Sequence, residues 1–90
     1  MATEFSIFQV KEETNTTLLP WVDEFKNAPL IFEERRPLIE FYDIRAALYK
    51  KNKGGDDYVE ILPDDYHLLE KYIDLTQHEK QGCKFVCCII

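Results

Sequence analysis

Lys84-Phe85-Val86-Cys87-Cys88-Ile89-Ile90 is the stretch on which the fold turns. Successive side chains of a strand point to opposite faces, so an unbroken apolar run of this kind suits a strand covered on both sides. Cys87 and Cys88 then face opposite ways. Gly82, just upstream, stops the preceding helix. Phe5-Ser6-Ile7-Phe8-Gln9-Val10 has the same two-faced character, with Phe5 and Ile7 on one side and Phe8 and Val10 on the other. The two segments are predicted to pair side by side.

Tyr58-Val59-Glu60-Ile61-Leu62 reads as a further strand, and Pro63-Asp64-Asp65 as the opening of a helix. Leu68, Leu69, Tyr72, Ile73, Leu75 and Thr76 form the apolar side of that helix. His67, Glu70, Lys71, Asp74, Gln77 and His78 form its wet side. A strand, helix and strand over residues 58–90 permit a right-handed parallel crossover.

The clearest helix runs from Pro37 to about Asn52, with Lys50, Lys51 and Lys53 at its end and Gly54-Gly55 beyond. Leu38, Phe41, Tyr42, Ile44, Leu48 and Tyr49 form one stripe, widened by Ile39 and Ala46. A helix this apolar packs on more than one neighbour or offers a surface to a partner. Arg45 falls inside the stripe, where its guanidinium must snorkel, stack on an aromatic ring or meet a carboxylate. Pro20 opens a short helix with Trp21 and Phe25 on one face, and Leu30-Ile31-Phe32-Glu33-Glu34 reads equally as an edge strand or a helical lead-in. These elements predict an α+β (α/β-like) fold. It has a small mixed sheet of three or four strands, two or three helices mainly on one face, and a single domain over residues 1–90.

At 90 residues, 46% hydrophobic and 31% charged, the chain carries enough apolar surface to fold, which excludes a disordered class. No apolar run approaches the ~20 residues of a membrane-spanning helix. No signal-like apolar stretch follows the acidic Met1-Ala2-Thr3-Glu4, so the expected location is cytoplasmic. Three cysteines in the last eight residues make a poor disulfide framework. Cys87-Cys88-Ile89-Ile90 also matches a prenylation signal at Cys87. Prenyl sites sit on flexible polar tails, however, and Phe85-Val86 continue the apolar run inward, so the buried strand is preferred.

Neither metal nor nucleophilic chemistry survives its own spacing. Cys83 and Cys87 share a strand face but lie about 13 Å apart, too far for one zinc ion. Asp74 and His78, four apart, give only two ligands. Cys83 near His78 is the sole thiol–imidazole candidate, with no oxyanion donor to complete it. Gly54-Gly55 lacks the Lys-Ser/Thr of a phosphate loop. No catalytic, cofactor or metal residue is therefore assigned, and no enzyme activity is expected.

Charge is the remaining signal. Residues 1–27 carry five acids and two bases, residues 28–53 four and six, and residues 54–90 eight and three, giving −6 overall. That balance disfavours direct nucleic-acid binding. Asp56, Asp57, Glu60, Asp64 and Asp65 crowd the two ends of one strand. With Arg45 and the apolar helix they form the candidate surface for a protein partner, one with a basic or nucleic-acid-binding face. The reading is a small cytoplasmic inhibitor or adaptor, a form that phages and other viruses also encode. The alternatives are a membrane-tethered adaptor prenylated at Cys87 and a structural subunit of a larger assembly. Oligomeric state is left open by the sequence.

Overall fold

The computed structural model describes residues 4–14, 28–35, 39–54 and 58–89. Strand β1 is Phe5–Lys11, β2 is Leu30–Glu34, helix α1 is Ile39–Lys51, β3 is Val59–Ile61 and β4 is Cys83–Ile89. The chain is of the α+β class. The four strands form one sheet in the order β2-β1-β4-β3. The tail is thus an inner strand, flanked by β1 and β3, and Phe85, Val86, Cys87 and Cys88 are all buried.

Alternation sorts the strand residues into two dry layers. Phe5, Ile7, Val59, Ile61, Phe85 and Cys87 join Phe41 and Leu48 of α1 in the main core. On the other face Val10, Tyr58, Val86 and Cys88 cluster, with Phe8 and Ala28 packed against them. The register matches this sorting: Ile7 stands opposite Cys87 and Ser6 opposite Cys88. Residues 30–34, ambiguous in the sequence, form the edge strand β2.

Every pairing in the sheet is antiparallel, so the expected mixed sheet and parallel crossover are corrected. Ile61 pairs with Phe85, so the chain leaves β3 and enters β4 at the same end of the sheet and has no need to cross it. The long helix expected after Pro63 is also corrected: two 3-10 helices, Pro63–Leu68 and Leu75–His78, stand in its place. Leu69 and Leu75 are both buried. On one continuous α-helix they would point about 120° apart, so an interruption lets both reach the core. Asp74 supplies the break, because its carboxylate accepts from the Thr76 N–H at 3.1 Å and from the Thr76 hydroxyl and caps the second 3-10 helix. His67, Glu70, Lys71, Asp74, Gln77 and His78 are all exposed, as expected for the wet side.

Two glycines fix the ends. Gly82 has φ +80°, the left-handed conformation that glycine adopts without strain, directly before β4. A Cβ on Gly54 would meet the Tyr58 carbonyl oxygen at 2.8 Å, and Gly54 bridges Val59 along the outer edge of β3.

Helix α1 departs from its predicted stripe. Phe41 and Leu48 are buried and Ile44 and Arg45 are half-buried, but Tyr42, Tyr49, Ile39 and Ala46 stand in solvent. Among the described residues α1 is the one α-helix on the sheet, and it buries only the side turned to it. The short helix expected around Pro20, Trp21 and Phe25 lies outside the described residues, as do Pro37 and Leu38. Among the described residues no helix is long and apolar enough to cross a membrane.

Candidate functional site: a cleft at one end of the sheet

Helix α1 ends, β3 leaves the sheet and β4 enters it at a common corner, and the gap between them is an open cleft of about 890 Å³. Leu62, Pro63, Tyr66 and Phe85 give it an apolar wall; Lys53, Lys80, Glu12 and Glu79 stand among its exposed charged residues. Such a volume lies within the range that binds small ligands or peptide segments.

Two internal ion pairs brace the walls. Glu60 is the lone acid of β3 and Lys84 the lone base of β4, and both face away from the main core. Lys84 Nζ lies 2.8 Å from Glu60 Oε2 and also donates to the Thr14 carbonyl at 2.6 Å. Asp65 is only 1% exposed. Its Oδ1 receives Lys51 Nζ at 2.8 Å, while its Oδ2 accepts from Asn52 Nδ2 at 2.7 Å and from the Leu62 N–H at 3.3 Å. Asn52 donates again to the Glu60 carbonyl at 2.9 Å, which joins the two ion pairs through the end of α1. Burial pushes the Asp65 carboxyl up, but the hydrogen bonds from Lys51, Asn52 and Leu62 outweigh it and hold the group below its ordinary value of 3.8. The Asp65 carboxylate in turn raises the Lys51 ammonium above 10.5.

The described members of the acidic cluster therefore do not share one exposed surface. Asp65 is turned inward, Glu60 is paired, Asp64 is exposed, and Asp56 and Asp57 lie outside the described residues. An acid at the third position of a helix start caps backbone N–H groups, and Asp65 does so from the inside. Lys51, Asn52, Lys84 and Tyr66 were not singled out in the sequence as site residues. The available signal was one charge in each of two otherwise apolar strands, Glu60 and Lys84, which need each other once both are covered.

Tyr66 packs edge-on against Phe85, with ring centroids 5.9 Å apart. Burial first, and then the negative charge of Glu79, push its phenol up, so it remains a protonated donor at neutral pH. Cys83 lines the cleft half-exposed. Arg45 lies elsewhere, with its guanidinium carbon 5.5 Å from the Tyr49 ring centroid, one of the stacked arrangements that its place in the stripe requires. Cys87 is fully buried on the inner strand, and burial pushes its thiol up despite the opposing charge of Arg45. Among the described residues no three metal-ligating side chains converge. No family model, curated protein or solved structure matches the chain.

Proposed function

We propose that the chain is a small cytoplasmic binding protein, an inhibitor or adaptor, that holds an extended segment of a basic partner protein in the cleft. The cleft itself carries this reading: an apolar wall of Leu62, Pro63 and Tyr66, open to solvent, lies beside charges of both signs. An extended segment alternates its side chains, so it can set apolar groups on that wall and charged ones toward Glu12, Glu79, Lys53 and Lys80. The net charge of −6 steers a partner of opposite sign and makes capture weaker in salt. A tether through Cys87 would require the inner strand to leave the sheet, and for that reason the prenylated alternative is not favoured.

Panning a random-peptide library on the protein tests the proposal. Peptides mixing apolar and basic residues should be enriched. Their affinity should fall about tenfold on Leu62→Asp, a substitution at a residue 41% exposed that leaves the core intact. Alkylation of Cys83 should block the same peptides. Enriched peptides indifferent to both changes, or no enrichment, would refute the cleft as the binding site.

A further inference from the structure

The outer side of α1 carries a second apolar surface, separate from the cleft. Ile39 is 80% exposed, Tyr42 46% and Tyr49 42%, and Ala46 between them is also exposed. At about 100° per residue the four fall within a sector of about 80°, beside the face that buries Phe41 and Leu48. Their spacing of three, seven and ten residues is that of the apolar seam between two packed helices. Large exposed side chains in contiguous register, not scattered singly, mark an interaction surface.

Charge identifies the occupant. Beside the seam α1 carries Asp43 in its first half and Lys50 in its second, whereas Glu40 and Lys51 point the other way, toward Lys71 and Asp65 of the same chain. A parallel copy would set acid against acid and base against base. An antiparallel copy sets Asp43 toward Lys50 and opposes the two helix dipoles favourably. About a two-fold axis, Ile39 meets Tyr49 of the second copy and Tyr42 meets Ala46. Asp43 and Lys50, both exposed on one flank of the seam, then face each other twice.

We propose that the protein self-associates as a two-fold dimer through the Ile39–Tyr42–Ala46–Tyr49 seam of α1, with Asp43 and Lys50 setting the antiparallel register. The seam is smaller than the roughly 20–30 residues a side of a standard interface, so the association is weak and is read at high protein concentration.

Sedimentation equilibrium of the full chain up to about 1 mM reads the association directly. The wild type should dimerise. Asp43→Lys alone and Lys50→Asp alone should each weaken the dimer about tenfold or more, since each turns two attractive contacts into two repulsive ones. The two single variants mixed in equal amounts should associate as the wild type does, because each supplies the charge the other lacks. The double variant carrying both changes should do the same. Asp43 and Lys50 are both exposed, and circular dichroism of each variant verifies the fold. A wild type that stays monomeric at about 1 mM overturns the dimer, and so does failure of the mixed variants to recover association. Neither result bears on peptide capture by the cleft, which the library experiment reads separately.

Discussion

Phe41→Ala lowers the unfolding free energy by about 3–5 kcal/mol in urea titration, close to the whole stability of many small domains. Phe41 is 1% exposed and holds α1 to the sheet through other rings: its centroid lies 4.8 Å from Phe5, 4.6 Å from Tyr72 and 6.3 Å from Phe32. Alanine removes all three contacts at once and leaves a cavity that β1 and β2, fixed by their ladder, collapse into only in part. Phe41→Leu keeps most of the volume and should cost less than about 1.5 kcal/mol. A loss below about 1 kcal/mol for the alanine variant would mean that α1 does not anchor the main core.

Asp65→Ala comes next, with an expected loss of about 2 kcal/mol, or a melting temperature lower by about 8–16 °C. The change leaves the part-buried Leu62 N–H without its acceptor and takes from Asn52 one of two, the Glu60 carbonyl remaining, whereas Lys51, more than half exposed, regains water. The cost therefore comes mainly from the orphaned donors. Because the folded carboxyl lies below its unfolded value of 3.8, its contribution is complete above that pH and is lost as the pH falls through the folded value. Lys51 acts in the opposite range: its raised value adds stability below 10.5 that is lost as the pH rises through the folded value. Asp65→Asn should flatten the acid limb of the stability profile relative to wild type. An unchanged limb would place the acid-sensitive carboxylate elsewhere.

Much of this architecture is written in alternation. Phe85 to Cys88 announced a strand dry on both faces, and Phe5 to Val10 announced its neighbour, because period two leaves few other places for those side chains. Strand direction was not legible, since side chains alternate alike in parallel and antiparallel ladders. Residues 63–81 have the composition of a helix, but burial of both Leu69 and Leu75 overrides local preference and Asp74 supplies the interruption. The stripe on α1 gave which residues are apolar but not how many neighbours the helix has, so the exposure of Tyr42 and Tyr49 became visible only once the sheet was in place. The inward turn of Asp65 is not legible in the sequence, because an acid at a helix start is useful to the backbone whether it faces water or the interior. The cleft joins residues from α1, β3 and β4 that are far apart in sequence, and no local pattern encodes it.

The placement of β4 inside the sheet underlies both the fold and the preference for docking over lipidation. Timed reaction of the native protein with a small disulfide reagent tests it most directly, with the modified cysteines located by mass spectrometry. Cys83, half-exposed at the head of β4, should react at once, while Cys87 and Cys88 should react only as fast as the protein unfolds. Three thiols modified at comparable rates in the folded state would contradict the account.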